Sequence, residues 1–131
     1  MDKDKHKILV VDDEPDMCWA LKHILKQNGY LSRVLLSGEE AVNCIRDEDF
    51  SLVFLDAKLS DMEGLDLAAR IRETSPLAKI VIVSGYFYKD DKDILEAMEK
   101  KNISGFISKP FTHKEIIKTV RELLEGEQAS G

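Results

Sequence analysis

The chain has 131 residues, 44 % hydrophobic and 34 % charged, with a formal net charge of -6 at pH 7. That is the length of one domain able to bury a core of its own, and the negative balance is the wrong sign for a phosphate backbone, so nucleic acid is not expected as a ligand of this domain alone. No apolar run approaches the ~20 residues that cross a bilayer, and the charged start Met1-Asp2-Lys3-Asp4-Lys5-His6-Lys7 has no apolar segment behind it; no membrane contact is expected, and the expected location is cytoplasmic.

Ile8-Leu9-Val10-Val11 is a β-branched apolar run, read as the first strand, and it stops at Asp12-Asp13. Pro15 suits the first turn of a helix, where its missing N–H costs nothing. That first helix runs to about Gln27, with Met17, Ala20, Leu21, Ile24 and Leu25 on one face. Asn28-Gly29 is a stop signal, glycine supplying the left-handed cap. A second strand is read over 31–36. Ser37-Gly38-Glu39-Glu40 has the form of a capping box opening a second helix, with Ala41, Val42 and Ile45 inward. Cys18 and Cys44 fall in these helices without any metal-ligand spacing, and read as buried or half-buried thiols of a reducing compartment.

Ser51-Leu52-Val53-Phe54-Leu55 is the third strand, an unbroken apolar run of the kind buried on both faces, and Asp56 follows it. After a loop to Glu63, Gly64 leads into a third helix, with Leu67, Ala68 and Ile71 inward and an end at Ser75-Pro76. Lys79-Ile80-Val81-Ile82-Val83 is the fourth strand, ending at Ser84-Gly85. A polar, aromatic loop containing Tyr86, Phe87 and Tyr88 precedes a fourth helix that carries Ile94, Leu95, Ala97 and Met98. Gly105-Phe106-Ile107-Ser108 is a short fifth strand, ending at Lys109-Pro110. Thr112-His113-Lys114-Glu115 is a second capping box, opening a fifth helix with Ile116, Ile117, Val120, Leu123 and Leu124. The expected organisation is a charged tail over 1–6, a globular domain over 7–125 and a polar tail over 126–131.

Strand and helix alternate five times, which predicts an α/β domain: a doubly wound, five-stranded parallel sheet with helices on both faces. In such a sheet all strand ends lie on one edge, the edge where ligands bind. Asp12, Asp13, Asp56, Ser84 and Lys109 are therefore expected around one crevice. Clustered carboxylates repel unless a cation joins them, and Mg²⁺ prefers oxygen ligands while keeping waters for a phosphate. Asp12 and Asp13, as a pair, suit the metal. Asp56, alone at its strand end, suits a nucleophile. Lys109 and Ser84 are placed to pair with and donate to phosphoryl oxygens, so the set has the parts for phosphoryl transfer. Taken singly, each has a plain alternative: Asp12-Asp13 as helix N-caps, Asp56 and Lys109 as loop residues, Ser84 in a turn. Their joint occurrence at four strand ends favours the chemical reading.

From Lys7 to about Glu125 the chain resembles a response-regulator receiver domain of two-component signalling. The matching residues are Ile8-Leu9-Val10-Val11-Asp12-Asp13-Glu14-Pro15, the loop from Asp56 through Met62-Glu63-Gly64, Ser84-Gly85 and Lys109-Pro110. The resemblance implies a flavodoxin-like fold of strand order 2-1-3-4-5. It implies that Asp56 accepts a phosphoryl group from a phosphohistidine of a sensor histidine kinase or phosphotransfer protein. Asp13, Asp56 and the backbone carbonyl of Lys58 would ligate Mg²⁺, with Asp12 acting mainly through metal-bound water. Lys109 would bridge to Asp56, Ser84 would swing toward the phosphoryl oxygen, and Phe106 would turn inward behind it. The helix 4–strand 5–helix 5 surface would then act on a downstream effector, with phosphorylation-dependent homodimerisation as one form of output. Such a domain catalyses its own phosphorylation and slow dephosphorylation. Ser60 stands where proline is usual, which predicts a less stiff loop; Phe106 lacks the hydroxyl of the tyrosine often found there; the loop after Ser84 is longer than usual. Two alternatives stand beside this reading. One is an aspartate-nucleophile phosphatase of the haloacid-dehalogenase type, although Lys58 occupies the place of its second carboxylate. The other is a receiver-like interaction module that takes no phosphate.

Overall fold

In a computed structural model, residues 6–85, 92–100 and 102–125 are described. The elements follow the chain as β1 (Lys7–Val11), α1 (Pro15–Gln27), β2 (Leu31–Leu35), α2 (Gly38–Asp47), β3 (Leu52–Asp56), α3 (Gly64–Thr74), β4 (Lys79–Ser84), α4 (Lys92–Glu99), β5 (Gly105–Ser108) and α5 (His113–Val120), with a wider, π-type turn over Arg121–Glu125. The five strands are parallel, in the order β2-β1-β3-β4-β5. This is the doubly wound sheet expected from the alternating pattern and from the resemblance.

Because side chains alternate across a strand, the apolar runs of β1, β3 and β4 serve two cores at once. Leu9, Val11, Val53, Leu55, Ile80 and Ile82 pack with Ala41, Ile45, Leu67, Ala68, Ile71 and Ile94, from α2, α3 and α4. Ile8, Val10, Leu52, Phe54, Val81 and Val83 pack on the other face with Cys18, Leu21, Leu25, Ile116 and Val120, from α1 and α5. Each such side chain contributes roughly 1.5–3 kcal/mol on full burial. A polar substitution in the middle of β3 would therefore damage whichever core its side chain enters.

The local signals set the helix ends. Pro15 opens α1, and at its other end the Gly29 and Tyr30 N–H groups donate to the carbonyls of Lys26 and Leu25 at 3.1 and 2.9 Å. Gly29 has φ 85°, the left-handed conformation that this closing motif requires. The capping box of α5 is complete: Thr112 Oγ1 accepts from Glu115 N at 3.0 Å, and Glu115 Oε1 accepts from Thr112 N at 2.8 Å. At α2 only half the expected box forms. Ser37 Oγ accepts from Glu40 N at 3.2 Å, but the Glu40 carboxylate takes the N–H of Leu36, also at 3.2 Å. Leu36 has left the strand by then, so β2 ends one residue earlier than read, and its freed N–H competes for Glu40.

Two strand ends also shift. Asp56 and Ser84 are the last residues of β3 and β4 rather than the first beyond them, so both are anchored by the sheet ladder. The α-helical part of α5 stops at Val120, short of the regular helix read to Leu124. Tyr86, Phe87 and Tyr88 lie outside the described residues. Among the described residues no helix is long and apolar enough to cross a membrane.

Candidate phosphoryl-transfer site at the strand ends

Val11 stands opposite Leu55 in the β1–β3 register, so the residues that follow each, Asp12 and Asp56, stand side by side at the sheet edge. Asp12, Asp13 and Asp56 each present an oxygen, and these three atoms lie within 4.8 Å of one another. Asp12 and Asp56 are buried, while Asp13 is half-buried. The helix-capping alternative for the acidic pair does not account for Asp12. Its Oδ1 accepts the N–H of Glu14 at 2.9 Å, and Glu14, the N-cap residue of α1, makes no side-chain cap bond. The bond to Glu14 turns the Asp12 carboxylate back over the strand end.

Among the described residues, one amine faces this acidic group. Lys109 Nζ lies 3.2 Å from Asp12, 3.8 Å from Asp56 and 3.9 Å from Glu14. Its side chain is 18 % exposed, shielded enough for these charges to act at short range. Lys109 follows β5 and its N–H donates to the Ser84 carbonyl at 3.0 Å, so the lysine and the serine are set on the sheet together. The Lys109–Pro110 peptide is cis. The resemblance implied a bridge from Lys109 to Asp56; here the shorter pair is with Asp12. The backbone N–H of Lys58, two residues on, is close enough to Asp56 to favour its charged form.

Burial pushes the Asp56 carboxyl up from 3.8 to about 6, and the neighbouring Asp12 adds to this; Lys109 and the Lys58 N–H pull the other way. Charge is thus stored against a desolvation cost, and positive charge at this point relieves it. The donors are all hard oxygens, and among the described residues they outnumber the one amine, so the residues present fit a divalent cation of the Mg²⁺ class. Beneath them, the Cys18 thiol donates to the Asp12 carbonyl at 3.2 Å. Burial first, then the Asp12 charge, pushes this thiol up to about 11, so it is an inert packing group.

The loop after Asp56 is held to itself. Gly64 N donates to Ala57 O at 2.7 Å, Leu59 N donates to Met62 O at 3.0 Å, and Lys58 and Glu63 form an isolated antiparallel bridge. The Lys58 amine pairs with Glu63 at 3.6 Å. Gly64 is needed here. A Cβ on it would stand 2.2 Å from the Asp56 carbonyl oxygen and 2.9 Å from Ala57 Cα. Ser84 is fully buried, and Ser108 stands opposite it in the β4–β5 register. Phe106 is half-buried and packs against the α2–α3–α4 core from β5.

Among the described residues, those singled out for the site lie at this edge, on the loop after Asp56 or on the strand that borders it. Three further residues contribute without a role assigned to them from the sequence: Glu14 joins the Lys109 charge cluster, Cys18 supports Asp12, and Gly64, part of the matching motif, gives the close approach to Asp56. A glycine opening a helix eight residues after the strand-end aspartate is the one local signal that pointed to a close approach.

The model for the response regulator receiver domain matches residues 8–121. The transcriptional regulatory protein ComA of Bacillus subtilis is 32 % identical over 92 % of this chain and 57 % of its own length. The chain spans about half the length of the curated relatives it matches. A CheY-like receiver domain protein from Methanospirillum hungatei superposes with a TM-score of 0.84 at 27 % identity, over 96 % of this chain and 98 % of that one. The response regulator TrrA of Thermotoga maritima, solved in complex with Mg²⁺ and BeF, has a TM-score of 0.80 at 31 % identity, over 91 % of this chain and 99 % of that one.

Proposed function

The chain belongs to the response regulator receiver domain family, and from that premise we propose that it is a phospho-accepting switch whose nucleophile is Asp56. The observation that carries the reading is the convergence of the Asp12, Asp13 and Asp56 oxygens within 4.8 Å, with the Lys109 amine 3.8 Å from Asp56. Asp56, above its raised pKa of about 6, is an anionic oxygen nucleophile held at the end of a rigid strand. It attacks the phosphorus of a phosphohistidine on a sensor kinase or phosphotransfer protein, and the imidazole leaves with the electrons of the P–N bond.

Asp12, Asp13, Asp56 and the Lys58 carbonyl would hold Mg²⁺, which supplies charge neutralisation for the transferring oxygens. Lys109 lies close enough to follow the charge from Asp12 and Asp56 onto the phosphoryl group. Ser84 provides a hydroxyl at the same edge. Drawing Lys109 and Ser84 toward a new dianion pulls on β4 and β5, which border Phe106 and the α4–β5–α5 surface. That surface holds an open groove lined by Leu95, Met98, Phe106 and Leu123, and an effector or a second copy is its proposed occupant. Residues 7–125 form the receiver unit in this reading. A cytoplasmic setting follows from partners of this kind. The phosphatase alternative is not favoured by the family, nor by Ala57-Lys58 after the nucleophile.

Incubation with phosphoramidate and Mg²⁺, followed by intact mass spectrometry, tests the proposal. The wild type should gain one phosphoryl group and Asp56→Asn none. An adduct that persists in Asp56→Asn, or none on the wild type, refutes it.

A further inference from the structure

Building on the phosphoacceptor reading, we propose that Asp61 is a positioning residue for the site. It ties the loop that carries Lys58 to the first turn of α2, and so sets where the Lys58 carbonyl stands relative to Asp56.

The first N–H groups of a helix have no partner within it. In α2, Glu40 N is taken by Ser37 Oγ at 3.2 Å. The other two come from across the fold. Gly38 N donates to Asp61 Oδ1 and Glu39 N to Asp61 Oδ2, each at 2.9 Å. Both oxygens of one carboxylate are committed, and these two bonds hold the Asp61 carboxyl below its ordinary value. The positive end of α2 adds to its preference for the charged form. Met62 completes the joint: a Cβ on Gly38 would stand 2.5 Å from Met62 Cγ and 2.6 Å from its sulfur, so the loop and the helix end meet as closely as glycine allows.

The remaining bonds of this loop are internal. The Gly64–Ala57 and Leu59–Met62 hydrogen bonds and the Lys58–Glu63 bridge fix its shape. They do not fix its direction. Leu59 is buried and anchors the near side in the core, while Ser60 at the tip leaves φ unrestrained where proline would set it. The paired bonds from Asp61 supply that restraint from outside the loop. The consequence falls on the site because the loop starts at Asp56 itself and returns against it, with Gly64 N on Ala57 O at 2.7 Å and no room for a Cβ between Gly64 and the Asp56 carbonyl, so a loop that pivots moves the Lys58 carbonyl relative to the nucleophile. A cation of the Mg²⁺ class demands near-octahedral geometry, and it registers such a shift as lost affinity.

Mg²⁺ titration by calorimetry on the wild type, Asp61→Ala, Asp61→Asn and Ser37→Ala tests this. Asp61→Ala should weaken Mg²⁺ binding about tenfold, the usual size of a supporting-residue effect. Asp61→Asn should fall between, since its amide keeps one acceptor oxygen. Ser37→Ala loses a cap bond at the same helix end without touching the loop. It should lower the melting temperature as Asp61→Ala does, yet leave Mg²⁺ affinity unchanged. The phosphorylation rate of Asp61→Ala should return to that of the wild type at saturating Mg²⁺. Equal affinity in Asp61→Ala and the wild type overturns the inference, and so does an equal loss in Ser37→Ala, which would mean that fraying of α2 suffices. A wild type that binds no Mg²⁺ refutes the phosphoacceptor reading itself, a result distinct from either.

Discussion

At the edge of the sheet where the strands end, a cluster of three carboxylates faces one amine among the described residues, which pairs with two of them; at the edge where they begin, one guanidinium is met by backbone carbonyls. Arg72, near the end of α3, donates from Nη1 to Pro76 O at 2.8 Å and to Ala78 O, and from Nη2 to Asn102 O at 3.2 Å. It joins the turn before β4 to the turn before β5. Burial lowers its pKa, but a guanidinium stays charged, and the carbonyl dipoles solvate it in place of water. The difference between the edges is what each charge is for. Arg72 is matched to groups that never change. The carboxylate cluster is matched to a cation and a phosphoryl group that come and go, so it carries an excess of one sign and a raised Asp56.

The contrast breaks if Arg72 proves to support the site. Arg72→Ala strands three carbonyls and should cost about 3 kcal/mol of stability, read as a lower urea midpoint. Mg²⁺ affinity and phosphorylation of the folded protein should be unchanged. A site defect in that variant would mean that the edges are not independent.

The opposite experiment sharpens the contrast. The carboxyl of Asp56 is raised from 3.8 to about 6 in the fold, so the folded state binds its proton more tightly than the unfolded chain. In the metal-free protein, stability should therefore fall as pH rises from about 4 through about 6, by on the order of 2 kcal/mol. Asp56→Asn should remove this fall and be more stable than the wild type at pH 7–8, with the advantage gone below about pH 4. Mg²⁺ should restore stability to the wild type and stabilise Asp56→Asn less, because one anionic ligand is gone. A flat wild-type profile in thermal melts at a series of pH values would contradict the stored-charge account.

The smallest expected effect separates stability from chemistry within the site edge itself. Thr112→Ala removes the reciprocal cap of α5, three residues beyond Lys109, and should cost about 1 kcal/mol. Mg²⁺ binding should be untouched. If affinity also fell, the start of α5 would belong to the machinery rather than to the scaffold.

Much of this was legible in the order of residues. The two-faced apolar runs of β1, β3 and β4 and the acidic pair after β1 are visible as local patterns, and the glycine that closes α1 and the complete capping box of α5 act through neighbours in sequence. Nearest-neighbour sterics and hydrogen bonds decide the two helix ends before the chain folds. The half-formed box at α2 was not legible, because a freed Leu36 N–H took Glu40 only once β2 had ended early. Nor was the role of Asp61: an exposed loop aspartate carries no mark of two amide partners more than twenty residues back.

Alone, the sequence determined which groups reach the strand ends: Asp12, Asp13, Asp56, Ser84 and Lys109. Only the tertiary structure decided how they divide. It gave the amine of Lys109 its shorter pair with Asp12, 97 residues away, placed Asp56 deep enough for its proton to be held to about pH 6, and fastened the Lys58 loop to α2 through Asp61. The physical reason is range. Periodicity and capping are settled within a few residues, whereas a shared charge or a borrowed helix cap depends on the order and register of strands that the hydrophobic pattern, apolar on both faces, does not encode.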